Sequence, residues 1–291
     1  MKAVLIGNAE PNTPEWDAMR AAALGGSEIA AVVGLSPWVS RFALWHRKSG
    51  TIGKQDVNQS MNWGHRLEGA IVAAWVEAHP DATPLPGGTF QSVEHPWKIA
   101  NPDHLVEGAV LEVKTADKYS SHEWGKSGTT VIPPYYACQI QWYMDVLGLP
   151  LAHMAVLIGG NDYREYEIPY SPEDAAWLHR EGEKFWQSVE SGEAPDIDGS
   201  SATYEAVREL HPEIDGSDVE LDVRLWAEYC ARESQAKDAA ERFTTTKSEV
   251  MAALGSARRG LVLGSAVVRR EARGTGKPYL KAIPQPKADA A

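Results

Sequence analysis

Two kinds of hydrophobic pattern alternate along the first 190 residues. In one, apolar side chains recur every three or four residues, as Leu67, Ile71 and Trp75 do, which is typical of a helix with one buried face. This spacing predicts helices over residues 27–33, 65–78, 134–147 and 171–189. In the other, short apolar or alternating segments predict strands over residues 89–94, 98–101, 109–115, 152–158 and 163–168. This order of elements predicts an α/β fold with a mixed central sheet flanked by helices, not a doubly wound repeat.

The last third of the chain has a different pattern. Residues 222–254 predict one long helix, and residues 260–270 predict a strand that leads into a turn near residues 274–276. The segment 191–218 is rich in Gly, Pro, Ser and Asp, which is typical of a junction. We therefore predict two domains, residues 1–195 and residues 196–291, the second being a C-terminal helix and β-hairpin extension.

Charge separates the same two parts. The chain has 291 residues and a net charge of −12, with 43% hydrophobic and 23% charged residues, a composition that excludes a disordered or fibrous protein. Residues 256–291 nevertheless hold eight Lys and Arg against two acidic residues. A uniformly acidic surface would repel nucleic acid, so only a segregated charge distribution is compatible with DNA binding.

Several protein classes are excluded by what the sequence lacks. Cys138 and Cys230 are too few for a four-thiolate cluster or a disulfide framework. No run approaches the 18 apolar residues of a membrane-spanning helix, and the first residues are too short for a signal-peptide core. We expect a cytoplasmic protein that does not bind membranes.

Charged side chains converge in one short stretch. Asp103 follows the strand predicted at 98–101, while Glu112 and Lys114 lie two residues apart on the strand predicted at 109–115 and so share one face. A short hairpin would fold Asp103 back beside Glu112. Carboxylates are preferred ligands of Mg²⁺, and a lysine can hold a water and stabilise a phosphoryl oxygen. The stretch predicts a site for phosphodiester hydrolysis, although a salt-bridged surface hairpin explains the spacing equally well.

Several ordered segments resemble a known family. The Pro102-Asp103 and Glu112-Val113-Lys114 pattern resembles the PD-(D/E)XK nuclease signature. Five further segments resemble the YqaJ-type or lambda-exonuclease-like phage recombination nucleases: LGGSEIAAVVGLSPW (24–38), FALWHRKSG (42–50), NWGHRLEG (62–69), QIQWYM (139–144) and FWQSVESG (185–192). The resemblance covers roughly residues 14–195. It implies a PD-(D/E)XK nuclease core for this part of the chain.

The resemblance assigns roles to the residues of the predicted metal site. It implies that Asp103 and Glu112 bind the metal, with the Val113 carbonyl as a third ligand, and that Lys114 is the catalytic lysine. Glu68, on the helix 65–78, would complete a second metal site or bind through water. A plain solvated glutamate on the polar side of that helix is the alternative for Glu68.

Further roles concern the DNA. The resemblance implies that Gln139 and Tyr143 orient the lysine or contact the DNA backbone, whereas their spacing of one helical turn is equally compatible with packing. It implies that Arg20 and Ser27 receive a 5′-phosphate, although Glu28 stands where the family often has Asp. Ser27 at the start of a predicted helix also suits a simple cap.

The implied function is a Mg²⁺-dependent exonuclease, with Mn²⁺ able to substitute. It would degrade the 5′-ended strand of linear double-stranded DNA and leave 3′ single-stranded tails for recombination. A ring-shaped homo-oligomer, commonly a trimer, and a single-strand-annealing recombinase as partner are also implied, within a bacterial host cytoplasm. The sequence has no G-x-x-x-x-G-K-[ST] segment, which agrees with ATP independence.

Two other functions stay open. The chain could be another PD-(D/E)XK nuclease, either an endonuclease or a RecB-like domain, or a non-catalytic DNA-end-binding or assembly protein on the same fold. The basic C-terminal hairpin has two interpretations as well, since it would either bind DNA or a partner or only aid solubility.

Overall fold

The computed structural model describes residues 2–9, 13–54 and 57–283. Its strands are β1 Ala3–Gly7, β2 Leu24–Gly25, β3 Leu85–Pro86, β4 Thr89–Ser92, β5 Lys98–Ala100, β6 His104–Val106, β7 Ala109–Ala116, β8 Leu151–Ile158, β9 Asp162–Pro169, β10 Arg259–Val262, β11 Ser265–Glu271 and β12 Tyr279–Ala282. Its α-helices are α1 Pro14–Ala21, α2 Gly26–Val32, α3 Arg41–Lys48, α4 Gln59–Ala78, α5 Pro134–Leu147, α6 Pro172–Ser191, α7 Ser201–Leu210 and α8 Val223–Leu254. A short 3₁₀ helix covers Lys118–Glu123.

A five-stranded mixed sheet has the order β3-β6-β7-β8-β9. Strands β7 and β8 run parallel over eight residue pairs, and the other neighbouring pairs are antiparallel. The chain reaches β8 from β7 through the 3₁₀ helix and α5, as a parallel pair requires a long crossover. The predicted α/β class, with a mixed sheet and flanking helices, is confirmed.

Helices cover both faces of this sheet. On one face Leu111 and Val113 of β7 pack against Ile71 and Trp75 of α4. On the other face Val110 belongs to the main core, which includes much of α5. Because side chains alternate along a strand, Glu112 and Lys114 share the α5 face. The sequence pattern placed these two residues on one face, and the packing shows that this face is covered as well.

A second sheet, of order β1-β4-β5-β2, belongs to the same core. We predicted 89–94 and 98–101 as strands of one central sheet, but β4 and β5 pair with β1 and β2 instead. The Trp142 Nε1 of α5 donates a 3.0 Å hydrogen bond to the Ile99 carbonyl of β5. This bond ties α5 to the strand that leads into Asp103.

The first compact unit extends through Ile214, beyond the boundary that we predicted at residue 195. The polar segment 191–218 contains α7, a helix that we did not predict. Its Ala206 is buried with Phe42, Ala43 and Ile52. The Thr203 hydroxyl donates a 2.7 Å hydrogen bond to Ser40 Oγ at the start of α3. Helix α7 fills only 10 residues of this segment, and the Gly, Pro, Ser and Asp on either side of it made the composition typical of a junction.

The second unit begins at Asp215 and contains α8 and a sheet of order β10-β11-β12. The predicted single strand over 260–270 is wrong, because a turn at Leu263 and Gly264 divides it into β10 and β11. Both turn residues have positive φ, +49° and +82°. The apolar run through Leu261, Val262 and Leu263 gave no sign of this turn. The turn predicted near 274–276 is present and joins β11 to β12.

Among the helices that the structure describes, none has both the length and the apolar content needed to cross a membrane.

Candidate active site

The hairpin of β6 and β7 brings the two carboxylates together. Asp103 immediately precedes β6, and the pairing of His104 with Leu111 sets it opposite Glu112. Asp103 Oδ2 accepts a 2.8 Å hydrogen bond from the Val113 N–H, and Glu112 Oε2 accepts a longer one of 3.4 Å from the Asp103 N–H. The predicted return of Asp103 onto Glu112 is therefore present in the structure.

A glycine in the turn between β3 and β4 fixes the backbone of Asp103. The Gly87 N–H donates a 2.9 Å hydrogen bond to the Asp103 carbonyl. A Cβ on Gly87 would lie 1.8 Å from the Pro102 carbonyl oxygen, so no other residue fits beside this backbone. The sequence reasoning missed this contribution, although Pro86-Gly87-Gly88 is a recognisable turn signal.

Glu112 is the centre of the site. Its side chain is only 1% exposed, and its Oε1 accepts hydrogen bonds of 2.5 Å from Lys114 Nζ and 2.6 Å from Gln139 Nε2. Burial, with the nearby charge of Asp103, raises the pKa of Glu112 to about 7 despite these donors. With Asp103 and Glu112 both ionised, two carboxylates face one lysine, and a bound cation would stabilise this ionised state.

Lys114 is an ammonium at neutral pH in this setting. Burial by itself lowers the pKa of Lys114, but the charges of Glu112 and Asp103 outweigh it and raise the pKa above its usual value. Its Nζ also lies 5.4 Å from the centroid of the Tyr136 ring, which the sequence reasoning did not single out. The ammonium is therefore held in place between a carboxylate and an aromatic face.

Gln139 and Tyr143 extend the same network along α5. Gln139 Nε2, besides its bond to Glu112, lies 3.0 Å from the Tyr143 hydroxyl, and both side chains are buried. Burial and the charge of Glu112 raise the pKa of the Tyr143 phenol, which is neutral at physiological pH. The two residues pack in the core, but their polar atoms support the Glu112 carboxylate.

Arg20 and Ser27 are also brought together. An Arg20 guanidinium nitrogen donates a 3.0 Å hydrogen bond to Ser27 Oγ and lies 2.9 Å from Glu28 Oε1. The simple cap predicted for Ser27 is wrong, because α2 begins at Gly26 and its N-cap is Gly25. Glu28 fills the capping role by accepting a 2.8 Å hydrogen bond from the Gly25 N–H. The Ser27 hydroxyl therefore does not cap the helix and instead accepts the hydrogen bond from Arg20.

Lys48 is a participant that the sequence reasoning missed as an individual residue. Its side chain is 4% exposed, and its Nζ donates to the carbonyls of Arg20 and Ala23 and lies 2.9 Å from Glu28 Oε2. Burial opposes ionisation of Glu28, yet Arg20 and Lys48 together hold the pKa of that carboxyl below its usual value. The only available signal was the position of Lys48 in the family-like segment 42–50.

The two groups of residues meet at Gly26. A Cβ at this position would lie 2.5 Å from Cε1 of the Tyr143 ring and 3.1 Å from the Gln139 carbonyl oxygen. Helix α2 therefore begins directly against the part of α5 that supports Glu112. The group of Arg20, Ser27 and Glu28 is thereby adjacent to the carboxylate site.

Glu68 is half-buried on α4, the helix whose Ile71 and Trp75 pack on Leu111 and Val113 of β7. Its Oε2 is 4.0 Å from His65 Nδ1. The metal-binding role that the resemblance implies for Glu68 stays a prediction. Within residues 2–9, 13–54 and 57–283, no three His, Cys, Asp or Glu side chains gather closely enough to hold a metal ion. Asp103 and Glu112 still fit Mg²⁺, which usually takes one or two protein carboxylates and completes its shell with water and phosphate oxygens.

Comparisons with known proteins agree with the resemblance stated from the sequence. A family model described as YqaJ-like viral recombinase domain matches residues 15–150. The uncharacterized protein YqaJ of Bacillus subtilis (strain 168) is 30% identical over 220 residues, which are 74% of this chain and 68% of that protein. The match to the family model includes the whole Asp103, Glu112, Lys114 and Gln139 network. The resemblance is confirmed.

Solved structures share the fold. The alkaline exonuclease LHK-Exo from Laribacter hongkongensis has a TM-score of 0.52 at 21% identity and covers 62% of this chain and 94% of its own. Its complex with dAMP gives the same score and coverage at 20% identity. At this level of identity the likeness establishes a common fold.

Proposed function

This chain belongs to the YqaJ-like viral recombinase domain family, and on that basis we propose that it is a Mg²⁺-dependent, ATP-independent DNA exonuclease. It degrades the 5′-ended strand of linear duplex DNA and leaves 3′ single-stranded tails. The observation that carries the proposal is the buried Glu112 carboxylate, bonded to Lys114 and Gln139 beside Asp103. The fold shared with an alkaline exonuclease supports the same class of reaction.

The residues of the site have separate tasks in this proposal. Asp103 and Glu112, with the Val113 carbonyl, hold Mg²⁺, which when bound polarises the scissile phosphate and promotes ionisation of the attacking water. Lys114 holds that water and stabilises charge on a phosphoryl oxygen. Gln139 fixes the Glu112 carboxylate, and Tyr143 holds Gln139.

The start of α2 selects a DNA end. Arg20 and Ser27 offer a guanidinium and a hydroxyl, both suited to a terminal 5′-phosphate. Glu28 and Lys48 hold Arg20 in place. Because Gly26 of the same helix touches Tyr143, a phosphate bound here lies on the same side of the molecule as the carboxylates. This adjacency favours an exonuclease over an endonuclease.

Digestion of three duplexes with Mg²⁺ tests the reaction: one 5′-phosphorylated, one with 5′-hydroxyl ends, and one closed circle. We expect rapid loss of the first, slower loss of the second and none of the third. Lys114→Ala and Asp103→Asn should each reduce the rate by about 10²-fold or more, because each removes a group that stabilises the transition state. Lys184→Ala, on the exposed surface of α6, is the matched control and should keep the wild-type rate.

Each alternative function predicts a different result. Cutting of closed circles would identify an endonuclease. Complete inactivity of the wild type with both Mg²⁺ and Mn²⁺ would favour the non-catalytic DNA-end-binding or assembly protein. Full activity of Lys114→Ala would show that the site lies elsewhere. If Arg20→Ala leaves the preference for a 5′-phosphate intact, the role proposed for the start of α2 is wrong.

The remaining proposals follow from family membership alone. We propose that the chain assembles as a ring-shaped homo-oligomer, commonly a trimer, and passes its 3′ tails to a single-strand-annealing recombinase. Native mass spectrometry of the full chain would measure the number of copies.

A further inference from the structure

The C-terminal sheet has one face packed on α8 and one face turned outward. A Cβ on Gly260 would meet the side chains of Val268 and Leu254, and Arg270 donates a hydrogen bond to the Gly255 carbonyl at the end of α8. These residues mark the inner face. By alternation, Arg269 on β11 lies on the outer face, and its paired neighbours Arg259 and Lys281 lie there with it.

Three cations therefore cross the outer face in a single row. Arg259 is paired with Arg269, and Arg269 with Lys281, so neighbouring side chains in the row start only about 5 Å apart. Like charges directly opposite on a sheet are destabilising. A protein retains such a row at a cost in stability, and a polyanion bound across it would remove that cost.

The unit itself supplies little neutralising charge. In the described residues 256–283, Glu271 is the only acidic residue against seven Lys and Arg. It lies 2.6 Å from Arg269 Nε and 3.9 Å from Lys281 Nζ. Arg259 has no carboxylate partner in this part of the chain. One carboxylate shared by the row leaves an excess of positive charge on an exposed surface.

The tip of the β10–β11 hairpin, Leu263, is unfavourable for stability in a second way, independent of the row of cations. Leu263 is fully exposed and has a φ of +49°, which disfavours a leucine, and Leu261 and Val262 beside it are also exposed. Two-residue turns with this backbone strongly prefer Asn-Gly or Asp-Gly. An apolar side chain here has unfavourable hydration and unfavourable backbone geometry, and the described residues 215–283 cover no part of it.

We propose that the outer face of the C-terminal sheet binds duplex DNA. Arg259, Arg269 and Lys281 contact backbone phosphates, and the Leu263 tip enters a groove. Leu263 is four positions beyond Arg259 of the row, about 13 Å along a strand, which is close to the roughly 12 Å width of the major groove. In the major groove, apolar side chains contact the thymine methyl group, and since only a duplex has this groove, the tip favours a duplex over a single strand. The surface lies outside the nuclease site and does not depend on its chemistry.

Binding of the full chain to a duplex closed by hairpins at both ends tests this surface. The ligand has no ends, and EDTA prevents hydrolysis, so the proposed nuclease reaction does not contribute. The triple variant Arg259→Gln, Arg269→Gln, Lys281→Gln should lower the affinity at 0.1 M salt by about tenfold or more. It should also make the slope of log K against log salt shallower by about two to three.

A matched control removes the same charge from the same unit. Arg224→Gln, Lys237→Gln, Arg242→Gln changes three cations of α8 and should leave affinity and slope near the wild-type values. Equal losses in both triple variants, or wild-type binding by the row variant, would overturn the proposal. Tighter, row-dependent binding of a single-stranded oligonucleotide would overturn the assignment to duplex DNA.

Leu263→Asn tests the tip without risk of unfolding. Asparagine suits the turn, so the Tm of the variant should rise. Its affinity for the closed duplex should nevertheless fall several-fold, a combination that a purely structural role of Leu263 does not produce. Unchanged affinity would exclude the tip from the contact.

Digestion of a short linear duplex by the same variants measures the nuclease activity separately. Either proposal can therefore be wrong while the other is right.

Discussion

At the scale of single residues, the site is organised around a carboxylate that is costly to bury. Glu112 sits on β7 with almost no exposure, and its Oε1 receives donors from both Lys114 and Gln139. An uncompensated charge in such a place would be strongly destabilising. The Gln139 amide therefore does two things, since it stabilises the buried carboxylate and fixes the direction in which its second oxygen points.

Replacement of Gln139 by alanine tests this positioning role. Loss of the amide lets the Glu112 carboxylate reorient, so the Mg²⁺ concentration for half-maximal hydrolysis should rise by about 10- to 100-fold, as for other groups that orient metal ligands. The affinity for DNA in EDTA should be unchanged. Titration of Mg²⁺ at saturating DNA measures the first quantity.

Gln141 provides the comparison on the same helix. It is equally buried, but it bonds the Pro169 carbonyl and the Ser171 N–H rather than the site. Gln141→Ala should reduce stability and leave the Mg²⁺ requirement unchanged. A similar shift of the Mg²⁺ requirement in both variants would mean that general loosening of α5, not the contact to Glu112, controls the metal.

At the scale of elements, the close approach of α2 and α5 joins the two halves of the site. Only a glycine at position 26 allows this approach, because the Tyr143 ring occupies the space where a Cβ would be. The ring is 2% exposed and bonded to Gln139, so it has no free space into which it could move. The distance between Ser27 and the carboxylates therefore depends on this single contact.

Gly26→Ala should destabilise the chain by about 1–3 kcal/mol, since overpacking forces a shift of buried groups. It should also reduce the rate on a 5′-phosphorylated duplex by displacing Tyr143. Urea unfolding and initial rates measure the two effects. Gly69→Ala on α4, where a Cβ meets nothing within 4 Å, should instead be neutral or stabilising by up to about 1 kcal/mol. Wild-type stability of Gly26→Ala would show that α2 moves freely.

At the scale of the whole molecule, the chain forms two compact units with different construction. The first has two sheets and a continuous core around α5. The second has a 32-residue helix without a buried residue and a small three-stranded sheet. Since α7 packs on α3, the first unit includes residues that the composition assigned to the junction.

Two truncated chains test where the first unit ends. Residues 1–214 should unfold cooperatively, whereas residues 1–195 should be less stable by about 3 kcal/mol, because the shorter chain lacks α7 and so exposes Phe42, Ala43 and Ile52, which α7 covers. Urea unfolding followed by tryptophan fluorescence measures the difference. Equal stability of the two truncated chains would place the boundary at residue 195.

The sequence by itself determined the local features of this protein. The periodicity of 134–147 and 152–158 predicted α5 and most of β8, and alternation set Glu112 and Lys114 on one face. Ordered motifs identified the family. These features depend on neighbours within one or two turns or strands, and short-range patterns record such neighbours directly.

Only the tertiary structure decided which distant groups meet. In the structure Gln139 bonds to Glu112, Gly26 contacts the Tyr143 ring, and Lys48 donates a hydrogen bond to the Arg20 carbonyl. It also separated β4 and β5 into a second sheet and divided the predicted strand 260–270 into a hairpin. Such contacts join residues far apart in the chain through packing and backbone geometry, and hydrophobic periodicity contains no information about which faces are paired.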